Sequence, residues 1–140
     1  MSKKVKDVMT RDVEVVHPDD TIQEAAGKMR SRDVGFLPVC DGERLVGALS
    51  DRDIAIGAAA AGKDPRKTRV KDLASPGVYW CFDDQSVDEA ARLMQDKEVR
   101  RMMVIGRDDR QLVGVVSVGD LATRDSGRTS GRVMEQTGPR

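Results

Sequence analysis

The chain is written twice. With an offset of 65 residues, the stretch from Val5 to Val39 lies over the stretch from Val70 to Val104. Val5, Lys6, Asp7, Val13, Asp19, Glu24, Ala25, Ala26, Met29, Val34 and Val39 recur as Val70, Lys71, Asp72, Val78, Asp84, Glu89, Ala90, Ala91, Met94, Val99 and Val104. A two-residue length change at Asp41-Gly42 against Gly106–Arg110 then shifts the offset to 67, where a turn absorbs it. Beyond it, LVGALSDRDIA (45–55) lies over LVGVVSVGDLA (112–122). Any fold for this chain must therefore be one small unit made twice.

Each copy predicts the same elements. A short extended stretch (13–16; 78–82) leads to Thr21-Ile-Gln-Glu24 or Ser86-Val-Asp-Glu89. Both are capping boxes, in which a hydroxyl at the N-cap is answered by a glutamate three residues on. The helix that follows carries Ile22, Ala25, Ala26 and Met29 in one copy, and Val87, Ala90, Ala91 and Met94 in the other. That spacing is a single apolar stripe facing a core. Two apolar runs joined by a turn come next, 35–40 to 44–49 and 101–105 to 111–116, and read as β-hairpins. A second helix starts at Ser50 or Ser117, the first extending through 53–61 and stopping at Gly62.

The expected class is α+β: two β-α-β-β-α repeats packed as a pseudo-two-fold pair through their small sheets. Residues 5–62 form the first repeat, the charged stretch 63–69 with Pro65 a linker, and 70–123 the second repeat. A unit of that size is marginal alone, and two together bury what neither can. The tail 124–140, rich in Ser, Gly, Arg and Thr without apolar periodicity, reads as disordered.

Composition narrows the function. The 140 residues hold 24 Lys and Arg against 24 Asp and Glu, a formal net charge of zero, and aromatics are only 3%. Phosphate-backbone binding needs a basic surplus and single-strand binding needs aromatic platforms, so the composition argues against nucleic acid as a partner despite arginines 124, 128, 132 and 140. No apolar run reaches bilayer length, and MSKKVKD lacks the apolar centre of a signal peptide. Two isolated cysteines, Cys40 and Cys81, make no disulfide framework, which suggests a reducing cytoplasm.

The paired VKD starts, the Pro-Asp-Asp-Thr helix entry, and GALSDRD (47–53) with GVVSVGD (114–120) resemble a tandem of cystathionine β-synthase (CBS) domains, a stand-alone Bateman module. The resemblance covers about 5–123. It implies a non-enzymatic regulatory module that dimerises into a disc and modulates a partner protein of unknown identity. Its clefts between repeats would take an adenine nucleotide (AMP, ADP or ATP) or a related adenosyl ligand, with no catalytic cofactor.

Ser50-x-x-Asp53 and Ser117-x-x-Asp120 are the residues that bear on this. Each stands where a strand gives way to a helix start, where free amides and the helix dipole suit a phosphate and a carboxylate suits ribose hydroxyls. The same spacing is a plain helix cap, and one residue can serve both ends. The resemblance further implies that each cleft is crossed. The one at Ser50 and Asp53 would be walled by Val78, Tyr79 and Val99, with Arg100, Arg101 and Arg52 near phosphates. The one at Ser117 and Asp120 would be walled by Thr10, Val13, Val34, Gly35 and Phe36. Val118-Gly119 replaces the cation in the second copy, which makes the arginine-rich cleft the better site for a di- or triphosphate. Two departures leave an alternative open, a ligand-free dimerisation scaffold with closed clefts. Met102-Met103 stands where the first copy has Leu37-Pro38, and Tyr79-Trp80 puts bulk that would stack on a base, fill the pocket or lie at a dimer surface.

Enzymatic readings lack their residues. His17 is the only histidine, so neither a metal cluster of several histidines nor a histidine pair can form, and it reads as a loop residue beside Pro18. Gly57-Ala-Ala-Ala-Ala-Gly62-Lys63-Asp64 mimics a phosphate loop. It ends on Asp instead of the magnesium-binding hydroxyl, and its alanines favour helix. Cys40 and Cys81 read as buried strand cysteines.

Overall fold

The computed structural model describes residues 3–124, so the expected disorder of the tail lies outside the described residues from 125 onward. Helices and small sheets alternate in the α+β manner expected. In chain order they are α1 (Val5–Val8), α2 (Ile22–Arg32), β1 (Phe36–Asp41), β2 (Arg44–Ser50), α3 (Asp51–Ile54), a π-helical turn (Ala55–Ala59), α4 (Val70–Leu73), β3 (Trp80–Phe82), α5 (Val87–Lys97), β4 (Arg101–Ile105), β5 (Leu112–Ser117) and α6 (Val118–Arg124).

Two compact units result, and they do not coincide with the two sequence repeats. One is the continuous stretch 14–78; the other joins 1–13 to 79–140, of which residues 3–13 and 79–124 are described. The opening turn of each repeat is therefore packed with the other repeat's hairpin. In the continuous unit, β1 and β2 form an antiparallel hairpin, and Val16 adds a single parallel bridge to Val39. In the other unit, β3 pairs parallel to β4 and β4 antiparallel to β5. The extended stretch expected at 13–16 is thus one bridge in the first copy, whereas its counterpart is a true strand.

Both 11-residue helices form as the capping boxes predict. The Thr21 hydroxyl accepts from the Glu24 amide at 3.1 Å, and the Glu24 carboxylate accepts from the Thr21 amide at 3.2 Å. Ser86 and Glu89 do the same at 3.1 and 3.0 Å. Both helices end in a left-handed residue that is not glycine, Asp33 at φ 54° and Glu98 at φ 56°. Of their expected apolar stripes, Ile22, Ala25 and Met29, and Val87, Ala90 and Met94, are buried, whereas Ala26 is exposed and Ala91 half-buried, one position round the helix from the core face.

The short helices α1 and α4 are the elements the sequence does not announce. Their first backbone amide groups are held locally: Lys4 N–H donates to Asp7 Oδ2 and Arg69 N–H to Asp72 Oδ2, each at 3.0 Å. Their apolar residues enter the cores. Val5 and Val8 are fully buried with Cys81, Met94 and Val104, while Val70 is buried with Val16, Leu37 and Leu49. The stretch 63–69 also docks, since Ile22 N–H donates to Thr68 O at 3.0 Å and Gln23 N–H to Pro65 O at 3.2 Å. No helix among the described residues is long and apolar enough to cross a membrane.

Candidate functional site

The two Ser-x-x-Asp motifs form identical junctions. Ser50 ends β2 and caps α3: its hydroxyl accepts from the Asp53 amide at 3.0 Å, and Asp53 Oδ2 accepts from the Ser50 amide at 2.8 Å. Ser117 and Asp120 repeat this at the β5–α6 junction, both contacts at 3.0 Å. All four residues are half-buried. The cap reading of these motifs is therefore realised. It uses only Oδ2 of each aspartate, and Oδ1 of each accepts no hydrogen bond from a described residue.

Each junction is braced by the strand before it in the same unit. Asp51 N–H donates to Gly35 O at 2.8 Å, and Phe36 pairs with Ser50. The counterparts are Val118 N–H to Arg100 O at 2.9 Å, and Arg101 paired with Ser117. Val34, Gly35, Phe36, Ser50, Arg52, Asp53 and Val78 thus belong to the continuous unit, where Arg52 is exposed. Thr10, Val13, Tyr79, Val99, Arg100, Arg101, Ser117 and Asp120 belong to the other. There Thr10 forms a bridge to Val115, two residues before Ser117.

Sequence reasoning missed Ser75. It bridges Ala48 as Thr10 bridges Val115, and the 65-residue offset places it on Thr10. The offset was the signal that identifies it.

The bulky residues of the second repeat divide by position. Met102 and Met103 are buried, and Met102 packs within the core cluster of its own unit. Tyr79 is 45% and Trp80 37% exposed. Trp80 meets Phe82 edge-on with ring centroids 5.1 Å apart. The Arg110 guanidinium lies 5.0 Å from the Trp80 ring and that of Arg107 lies 4.1 Å from Phe82. These contacts make a cation–π stack on the face of the edge strand.

Catalytic alternatives are answered locally. His17 Nδ1 accepts from the Asp19 amide at 3.1 Å, and the His17 amide donates to Asp20 Oδ2 at 2.9 Å, so this histidine shapes its turn. Both cysteines are buried. Burial, helped by the Asp83 charge, pushes the Cys81 thiol up to about 12, far from thiolate reactivity. The phosphate-loop mimic, 57–64, begins inside the π-helical turn Ala55–Ala59 and runs on past Gly62 at φ 71°. No group of three or more His, Cys, Asp or Glu among the described residues is placed to hold a metal ion.

Comparison with known proteins agrees with this architecture. The Bacillus subtilis "CBS domain-containing protein YhcV" is 39% identical over 126 residues, spanning 90% of this chain and 88% of that protein. The crystal structure of Hypoxic Response Protein I with two coordinated zinc ions superposes with a TM-score of 0.76 at 38% identity, over 86% of this chain and 97% of that one. CBSX2 in complex with AMP superposes with a TM-score of 0.72 at 27% identity, over 86% and 94%. The CBS domain family itself matches the chain twice, at residues 5–57 and 70–127. The chain belongs to the CBS domain family.

Proposed function

We propose that this protein is a non-enzymatic sensor that binds an adenine nucleotide (AMP, ADP or ATP) or a related adenosyl compound through its Ser-x-x-Asp junctions. As a homodimer it passes the bound state to a partner protein. The observation that carries this reading is that Oδ1 of Asp53 and of Asp120, each at a strand-to-helix junction, accepts no hydrogen bond from a described residue. An ionised carboxylate with one open oxygen can accept from vicinal ribose hydroxyls while the other oxygen keeps the cap intact. Arg52 adds a guanidinium suited to phosphate beside Asp53, and Val118-Gly119 offers none beside Asp120. The AMP complex of CBSX2 supports the ligand class. Binding acts as a switch only through a difference in affinity between two arrangements of the protein.

Calorimetric titration with AMP, ATP, NADH and S-adenosylmethionine tests this. Saturable heat is expected with at least one adenine nucleotide, and Asp53→Ala is expected to abolish binding of the more highly phosphorylated ligand while Asp120→Ala spares it. Flat traces for all four overturn the sensor and leave a dimerisation scaffold. Light scattering at micromolar concentration is expected to return twice the monomer mass, and a monomer contradicts the dimer.

A further inference from the structure

The outer strand β3 pairs with β4 on one side only. Met103 N–H donates to Tyr79 O and Asp83 N–H to Ile105 O, each at 3.1 Å. Backbone groups alternate in direction along a strand, so Trp80 and Phe82 turn theirs to the outer edge. Phe82 is provided for: its N–H donates to Gln85 Oε1 at 2.8 Å, and its carbonyl accepts from the Gln85 amide at 3.2 Å. The Trp80 N–H and C=O meet no described residue.

The continuous unit plugs the same edge. There Val16 N–H donates to Pro38 O and Val16 O accepts from the Cys40 amide, so Val15, the counterpart of Trp80, faces outward. Its carbonyl accepts from Lys28 Nζ at 2.8 Å, and Glu14 holds that lysine at 3.4 Å. Leu93 stands in place of Lys28 and packs against the core, so the plug is missing beside Trp80. The open edge also carries an unbalanced cation. The Arg110 guanidinium lies 5.0 Å from the Trp80 ring and has no ion pair among the described residues. Its neighbour Arg107 is matched by Asp84, and Asp109 Oδ1 accepts from the Gln111 amide.

We propose that the outer edge of β3 takes an extended acidic segment of a partner protein, which exchanges backbone hydrogen bonds with Trp80 and sets a carboxylate against Arg110. A strand added to an edge takes affinity from main-chain hydrogen bonds and selectivity from alternate side chains. In an antiparallel pair, the residue opposite Trp80 exchanges both bonds with it and shares its face, where Arg110 lies. An aspartate or glutamate at that place gives Arg110 the partner it lacks. Charge excludes the other occupants. A second copy brings its own Arg107 and Arg110 to the edge, and cations oppose edge-to-edge pairing. Residues 125–140 of this chain carry three arginines against one aspartate and one glutamate. Neither Trp80 nor Arg110 belongs to a Ser-x-x-Asp junction, so the proposal stands apart from nucleotide binding.

The test titrates the full chain with the capped peptide acetyl-Glu-Val-Glu-Val-Glu-amide, followed by amide NMR and by the fluorescence of Trp80, the only tryptophan. Saturable changes are expected at the indole and at the Trp80 amide, and the peptide with lysine in place of each glutamate is expected to give none. The same acidic peptide with its glutamate nitrogens methylated cannot donate to the Trp80 carbonyl and is expected to lose saturable binding. Arg110→Asn removes the cation with a residue that tolerates the left-handed backbone at φ 58°, and is expected to weaken binding severalfold. Absence of saturable change in the unaltered chain overturns the proposal, as does undiminished binding in Arg110→Asn or of either control peptide. Shifts confined to the Arg110 side chain and reproduced by free glutamate reduce the edge to an ion contact and overturn the added strand.

Discussion

Asp84 is bound in an arrangement that a helix-start aspartate does not need. It accepts two hydrogen bonds from Arg107, at 2.7 and 2.8 Å, while the same guanidinium covers Phe82. The Arg107 hydrogen bonds hold the Asp84 carboxyl below its ordinary range. A carboxyl lowered on folding stabilises the folded state above its unfolded pKa, and that contribution is lost as pH falls through the folded value. Arg107→Leu, which keeps an apolar cover on Phe82, is expected to return the Asp84 pKa toward the usual carboxylate range by NMR titration. Acid unfolding is expected to begin at a higher pH in the same variant; unchanged values for both refute the coupling. The sequence shows Asp83-Asp84 as negative charge before a helix, because that relation is local. The partner stands 23 residues away, beyond α5 and β4, a distance no local pattern bridges.

Among elements, legibility follows length and local chemistry. The two 11-residue helices show a full apolar stripe and a reciprocal cap, so periodicity and hydrogen-bonding chemistry agree on them. A four-residue turn such as α1 shows no period, and its place is decided by what it packs against. Val5 and Val8 look like the start of the first repeat, yet they lie in the core with Cys81 and Val104. Val8→Ala is therefore expected to destabilise the second repeat's sheet, by on the order of 2 kcal/mol for two lost buried carbons plus a cavity. Hydrogen exchange measures where the loss falls: faster exchange is expected at Met102–Val104 and Val115–Val116, with Leu37–Val39 unchanged. Uniform loss across both sets, or loss confined to the latter, refutes the assignment. For the candidate site, the capped Ser-x-x-Asp junctions were legible because the motif is short and sequential. Ser75 carries no motif of its own; only the repeat offset points to it, and the strand it bridges identifies its place.

At the scale of the molecule, duplication explains both the symmetry and its breaks. Equivalent bridges recur pair by pair, Lys4 to Ser86 as Arg69 to Thr21, and Thr10 to Val115 as Ser75 to Ala48. Differences between the copies, such as Met9 against Ala74 or Arg100 against Gly35, then mark positions where one copy is free to acquire its own role. The division into a continuous unit, 14–78, and a split one also sets an order of events during synthesis. Chains emerge from the ribosome N-terminus first, and units close as their residues become available. The stretch 14–78 has all its parts once Val78 is out. Val5, Val8 and Met9, though made before that stretch, complete their packing only after Val116 and Leu121 have followed, so a segment that precedes the continuous unit in the chain is fully buried after it.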